Sequence, residues 1–498
     1  MGDTLRLNTD SCRYRKKQID GHCIEYREYR DIPYCTKPSD KIQKLNIYIP
    51  EAYFHNETIG QYDKDSAPVF LPNTVGGYMP GPSDEPGIDS HTGKLNSLFL
   101  ALEHGYVAVS AGVRGRTSGK IATEFYEGSK EGALGEETGR MVGRAPAFIV
   151  DLKAAIRFLR HNSDLLFGDF ERIITNGTSA GGALSALAGA AGNSSYYEEY
   201  LKQIGAADER DDIFAASCYC PIHNLENADS AYEWQFCGLN DYHRTRHQRT
   251  ETGIIRVPDE GWMDEEQIRV SAELKDLFPA YLNSLELKDE TGRILTLNEN
   301  GEGSFKEYLK RYIVDSADLE YQSHRTKDRH ANLMVKGSDV EEQDYLRVEN
   351  GNVSDLDWDG YIRKITRMKA APAFDSLDLK SPENEEFGDE DHDGRHFTDY
   401  SFSHSHVQGE KADQRLINIM NPLYFVLNEK EGVCRNWRIR HGAFDRDTSL
   451  AVPLILATAL KNRACNVDFR FPWGLPHSGD YDLEELFAWI DNLCAQKR

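Results

Sequence analysis

The sequence predicts an α/β fold, a mostly parallel sheet flanked by helices and interrupted by a large inserted cap or lid domain. Three observations predict it. Apolar, β-branched runs alternate with amphipathic helical stretches up to residue 222 and again from about 415, as in a sheet covered by helices. Between about 223 and 414 the alternation stops, and the chain turns polar and largely helical by period, with acidic runs such as DEEQ, SDVEEQD and PENEEFGDEDHDG. Finally, ERIITNGTSAGGALSALAGA (171–190) passes from strand residues into a small-residue helix with a serine at the turn. The expected partition is a discontinuous catalytic domain, 1–222 with 415–498, and an inserted cap, 223–414.

The elements follow in order. Residues 17–50 alternate apolar and polar positions in Cys23-Ile-Glu-Tyr-Arg-Glu-Tyr and Leu45-Asn-Ile-Tyr-Ile, an antiparallel edge. A strand at 68–71, a helix from Leu95 to His104, a strand from Tyr106 to Ser110, a loop to about 140 and a helix from Ala147 to Arg160 lead to the strand Arg172 to Asn176. Phe214 to Ile222 reads as the next strand. Beyond the insertion come the helical NPLYFVLN, a strand in NWRIR, an acidic loop, a helix from Leu450 to Lys461, a strand from Cys465 to Phe471 and a last helix from Leu483 to Ala495.

The chemistry centres on Gly177-Thr178-Ser179-Ala180-Gly181. A strand that turns abruptly into a helix forces its turn residue into strained geometry, tolerable only between small neighbours; this is the nucleophile elbow. A glycine-rich turn shares the pattern, but the strand–turn–helix setting favours Ser179 as a nucleophile. A serine hydroxyl then needs a histidine base and a carboxylate to orient it. In the α/β-hydrolase fold these follow the serine as acid, then histidine. Of 16 histidines only His477, in FPWGLPHSGD, follows the last plausible acid loop. That loop, NWRIRHGAFDRDTS, offers Asp445 and Asp447; Asp445, three residues after Gly442 past a strand end, is preferred as the orienter, and Asp468 lies inside the last strand. The oxyanion hole requires two backbone N–H groups. Ala180 supplies one, and Gly76 or Gly77, in the turn after the strand at 68–71, the other.

Composition excludes several classes. Lys and Arg number 58 against 82 Asp and Glu, a net charge of −24 that repels nucleic-acid phosphates and anionic membranes. With 39% hydrophobic residues, a mean hydropathy of −0.61, no apolar run of spanning length and no signal-peptide pattern, the expectation is a soluble, cytoplasmic protein with no membrane or nucleic-acid partner. Arg6 also spoils a myristoylation frame at Gly2. Nine scattered cysteines make no metal-ligand spacing or disulfide framework. No cofactor is expected, and the oligomeric state is left open.

The stretch between Ser179 and Asp445 far exceeds the roughly 30 residues of one βαβ unit, hence the cap, which at this point of the fold stands over the ligand-binding edge of the sheet and is expected to set substrate specificity. Within it, Asp389-x-Asp391-x-Asp393-Gly394 has the spacing of a calcium loop, but its twelfth position is Tyr400 rather than Glu, so a solvated acidic loop is favoured.

These residues resemble the bacterial tannases, serine esterases of the α/β-hydrolase superfamily that cleave gallate esters. The resemblance rests on Gly-Thr-Ser179-Ala-Gly-Gly, RHGAFDRDTSLAVP (440–453), WGLPH477SGDYD, KAAPAFDS (369–376) and SPENEEFG (381–388), and spans nearly the whole chain. Fungal tannases and related feruloyl esterases carry cysteines beside the nucleophile and the histidine; Thr178 and Ser478 stand there, which favours the disulfide-free bacterial branch. The resemblance implies that Lys369, Glu383 and Asp447 hydrogen-bond the three galloyl hydroxyls while Ile222 and Pro382 sandwich the ring. It implies hydrolysis of galloyl esters, and of depsides, of hydrolysable tannins and alkyl gallates to gallic acid. A broader phenolic-acid (feruloyl-type) or general carboxylesterase is the alternative.

Overall fold

The computed structural model describes residues 4–89, 92–121, 124–125, 138–250, 253–323 and 334–496. Gly2, and residues 122–123 and 126–137 of the loop expected before residue 140, lie outside the described residues. In chain order the strands are β1 (Arg13–Ile19), β2 (His22–Pro33), β3 (Lys44–Pro50), β4 (Pro68–Pro72), β5 (Val107–Ala111), β6 (Glu124–Phe125), β7 (Asp169–Thr178), β8 (Ala215–Tyr219), β9 (Asp241–Thr250), β10 (Gly253–Trp262), β11 (Leu346–Glu349), β12 (Asn352–Leu356), β13 (Asn436–Arg440) and β14 (Asn466–Arg470).

Nine of them form one mixed sheet in the order β1-β2-β3-β5-β4-β7-β8-β13-β14. The three alternating N-terminal strands pair antiparallel and meet β5 antiparallel, with Leu45 opposite Ala111. β4 is parallel to both neighbours, Val69 lying opposite Val107 on one side and Ile173 on the other. Its sequence, PVFLP, is buried at every position, the continuous apolar run of a strand covered on both faces.

The chain divides into two compact units: residues 1–218 with 428–437 and 480–498, and residues 219–427 with 438–479. This differs from the expected partition, because 438–479, carrying Asp445 and His477, groups with the insertion rather than with the N-terminal strands.

In the first unit, helices α1 (Ser97–Glu103), α2 (Ala147–His161), α3 (Ala180–Ala190) and α4 (Glu198–Ile204) accompany the strands. α2 is buried from Ala147 to Arg160, so its charges must be paired. Asp151 accepts from Arg114 Nη2 at 2.7 Å and Nε at 2.9 Å, and Asp211 accepts from Lys153 Nζ at 2.6 Å and Arg157 Nε at 2.8 Å.

In the second unit, α5 (Leu225–Phe236), α6 (Glu265–Ser284) and α7 (Ser304–Ser323) converge on an aromatic core, where Trp234 lies within 5.1–6.0 Å of Phe278, Trp358 and Phe305. The expectation that the insertion is largely helical is corrected. It also holds the antiparallel hairpins β9–β10 and β11–β12 and long irregular segments. The strand DYHRTRHQRT escaped detection because neither of its faces is apolar, leaving no period-2 hydrophobic signal.

Candidate active site

The first unit carries the elbow. β7 ends at Thr178, α3 begins at Ala180, and Ser179 between them has φ 63° and ψ −125°, a backbone state that costs of order 1–3 kcal/mol outside glycine. The surrounding packing enforces it. A Cβ on Gly177 would lie 2.3 Å from the Gly181 carbonyl oxygen, and one on Gly181 would lie 2.7 Å from that of Val75. Asn73 pins the turn: its side-chain amide donates to the carbonyls of Asn176 and Gly181, each at 3.0 Å, and to Ser185 Oγ at 3.2 Å, while its carbonyl accepts from Val75 N–H. One side chain thus joins the elbow to the loop of Gly76 and Gly77. Gly77 adopts φ 54°, and Arg116 donates through Nε to its carbonyl at 2.8 Å.

The second unit carries the candidate acid and base. His477 Nδ1–H donates to Asp445 Oδ2 at 2.7 Å, and Asp445 Oδ1 accepts the Asp447 backbone N–H at 2.8 Å. His477 Nε2 makes no hydrogen bond and lies 3.8 Å from Asp447 Oδ2. Gly442 makes the arrangement possible, since a Cβ there would lie 2.2 Å from the Leu475 carbonyl oxygen. Backbone bonds from Ala443 to Pro472 and from Phe444 to Leu475 then clamp the acid loop to the histidine loop. Asp468 is occupied elsewhere: Arg440 holds both its oxygens, at 2.7 and 3.0 Å.

Electrostatics follow from this packing. Burial pushes the His477 imidazolium down, but the Asp445 and Asp447 carboxylates outweigh it and raise the group well above its ordinary value. Burial likewise disfavours the Asp445 carboxylate, yet His477 and His441 hold its pKa far below the usual range.

Of the residues that resemblance implied for the substrate, Lys369 forms a buried ion pair with Asp447 Oδ1, and its ammonium lies 4.0 Å from the Phe374 ring centre. Burial of Lys369 is offset by the Asp447 and Glu383 carboxylates, which keep it charged. Arg367 supports its backbone, donating to the Lys369 carbonyl at 2.7 Å while paired with fully buried Glu233. Pro382 and Glu383 open the helix Pro382–Glu386, capped by Ser381, with Asn384 Nδ2 donating to Asp375 Oδ1 at 2.7 Å. Ile222 is buried shortly after β8.

The candidate calcium loop is otherwise engaged. Asp389 pairs with Arg395 and accepts from the Asp391 and His392 N–H groups, whereas Asp391 and Asp393 face solvent. Among the described residues, the one group of three potential metal-ligating atoms lies elsewhere: Cys220, His441 and Asp445, all buried, with donors within 4.8 Å of one another. Sequence reasoning missed Cys220 and His441, although His441 stands in the HGAFD segment, and it missed Asn73. None of the nine cysteines is in a disulfide, and no helix among the described residues is long and apolar enough to cross a membrane.

The sheet and the acid–histidine couple define a hydrolase of the α/β-hydrolase fold, and a family model described as BD-FAE, a domain of that superfamily, matches residues 140–234. Among solved structures, a tannase from Lactobacillus plantarum is 45% identical with a TM-score of 0.89, covering 98% of this chain and 100% of that one. A tannin acyl hydrolase in complex with ethyl gallate is 45% identical (TM-score 0.86), and Fusobacterium nucleatum tannase 46% (TM-score 0.87), each match covering 98% of this chain and 99% of the other. A comparison with curated proteins finds no match. The chain belongs to the bacterial tannase family and is a carboxylic ester hydrolase.

Proposed function

We propose that the protein is a serine esterase that hydrolyses galloyl esters to gallic acid, with Ser179, His477 and Asp445 as its triad. The observation that carries the reading is the buried Lys369–Asp447 pair, with Asp447 also 3.8 Å from the ring nitrogen that must act as base. A cation and carboxylates grouped this way suit a ring bearing several hydroxyls, since a buried hydroxyl left unpaired costs roughly 1–3 kcal/mol. The relative bound to ethyl gallate supports the same substrate class.

In this mechanism His477 Nε2 takes the proton of Ser179 Oγ as the oxygen attacks the galloyl carbonyl. Asp445 holds Nδ1–H, selects the tautomer and stabilises the imidazolium. The N–H groups of Ala180 and of Gly77 or Gly76 receive the oxyanion, His477 returns its proton to the leaving alcohol, and water then releases gallate by the same route. Lys369, Glu383 and Asp447 bind the ring hydroxyls, with Ile222 and Pro382 on its faces. Nine cysteines with no disulfide among them support a reducing, cytoplasmic setting.

The test is hydrolysis of methyl gallate beside methyl ferulate and a short aryl acetate. A gallate preference that vanishes in Ser179→Ala supports the reading. Serine-dependent activity without that preference would leave the broader phenolic-acid or general carboxylesterase and withdraw the roles of Lys369, Glu383 and Asp447.

A further inference from the structure

Behind the acid of the proposed triad lies a cluster the mechanism does not use. Cys220 Sγ, a ring nitrogen of His441 and a carboxylate oxygen of Asp445 lie within 4.8 Å of one another, and all three residues are wholly buried. His441 Nε2 stands 3.5 Å from Asp445 Oδ2, the same oxygen that receives His477 Nδ1–H, and the Cys220 thiol faces both His441 and His477. With no exposed surface, His441 turns a ring nitrogen toward this thiol and carboxylate. Cys220 Sγ also lies 3.4 Å from the Ser478 carbonyl.

We propose that Cys220, His441 and Asp445 form an inhibitory site for a thiophilic divalent cation of the zinc and cadmium class. One sulfur, one imidazole nitrogen and one carboxylate oxygen make a borderline-soft donor set, and three donors this close admit a common centre at about 2.0–2.3 Å after small shifts. Binding converts the Cys220 thiol to a thiolate and releases its proton to solvent. A dication on that oxygen competes with His477 Nδ1–H for Asp445 and repels the imidazolium that forms during turnover, so occupancy weakens the orientation and activation of the base. His477, which borders the cluster, keeps 21% of its side-chain surface exposed. The inhibition, though not the binding, rests on the triad proposed above.

The experiment uses purified full-length protein and Zn²⁺ alone, with an aryl acetate as substrate because gallates chelate metals. Zinc content after equilibrium dialysis and the rate ratio with and without Zn²⁺ are measured for wild type, Cys220→Ala, His441→Gln, Cys218→Ala and Ser179→Ala. Each variant's rate is compared with its own zinc-free rate. The expected result is one zinc equivalent in wild type, Cys218→Ala and Ser179→Ala that is lost in Cys220→Ala and His441→Gln. Inhibition of about tenfold or more in wild type, reversed by a chelator, should fall below about twofold in those two variants. Equal zinc content in wild type and Cys220→Ala overturns the site. Zinc bound there without inhibition overturns its inhibitory role and Asp445's part in the triad, whereas full turnover by Ser179→Ala refutes the catalytic reading and leaves the zinc measurement standing.

Discussion

In the proposed mechanism Asp447 has two tasks, binding a ring hydroxyl and raising the proton affinity of His477, and one substitution separates them. In Asp447→Asn the negative charge 3.8 Å from His477 Nε2 disappears. Two unit charges at that distance attract by roughly 4 kcal/mol at the effective dielectric of a protein site and by about 1 kcal/mol in water. Lys369 pairs with the other Asp447 oxygen and offsets part of this attraction. The net effect should lie near the lower end, about 1–2 kcal/mol, or roughly one pH unit. The sign is set by charge: a neighbouring carboxylate favours the imidazolium, so its removal lowers the histidine's pKa. Because only neutral His477 accepts the serine proton, kcat/KM rises with pH through this pKa. The assay is the pH profile of kcat/KM from about pH 5 to 9 on an aryl acetate, which has no ring hydroxyl to lose at Asp447. The rising limb in Asp447→Asn should move to lower pH by about one unit, giving the variant relatively more activity in acid. An unmoved limb, or one moved to higher pH, would refute the electrostatic argument.

Lys369→Ala and Glu383→Ala should reduce kcat/KM for methyl gallate by about 10²-fold or more while changing aryl acetate hydrolysis only a few fold, since each galloyl hydroxyl loses a buried partner; equal losses on both substrates would contradict the ring-binding roles. Asn73→Ala removes four hydrogen bonds holding the elbow and its neighbouring loop, so kcat should fall by about 10–10²-fold with little change in KM, as steady-state kinetics will report. Arg367→Met strands the buried Glu233 carboxylate and should destabilise the protein by about 3–5 kcal/mol; adding Glu233→Leu should restore much of this in denaturant titrations, whereas additive losses would argue against the pair. Gly442→Ala drives a Cβ into the Leu475 carbonyl and should lower stability by about 2 kcal/mol or more, visible as a drop in Tm.

What could be read along the chain is what short-range chemistry dictates. The β-branched runs of β4, β5 and β7, the small residues around Ser179 and the order serine, acid, histidine are each local, because strand and elbow geometry constrain neighbouring residues directly. The implied roles of Lys369, Glu383, Ile222 and Pro382 came from family resemblance alone, since a lysine or a helix-opening proline carries no local mark of a binding site. Tertiary structure decided the rest. The carboxylate of Asp445 rather than Asp447 meets His477 Nδ1 because Gly442 lets two loops pack backbone to backbone, a contact between residues some thirty apart that no periodicity encodes. Asp389 is taken by Arg395, which the calcium-loop spacing could not reveal. The hairpins of the insertion arise from polar strands whose partners lie across a turn, and Asn73 joins the elbow across more than a hundred residues. Cys220 and His441, unremarkable in sequence, become a donor cluster only because folding brings them to Asp445 in one buried group. Local sequence specifies elements and reactive groups, whereas the balance between a buried charge and its partners depends on distances that folding alone establishes.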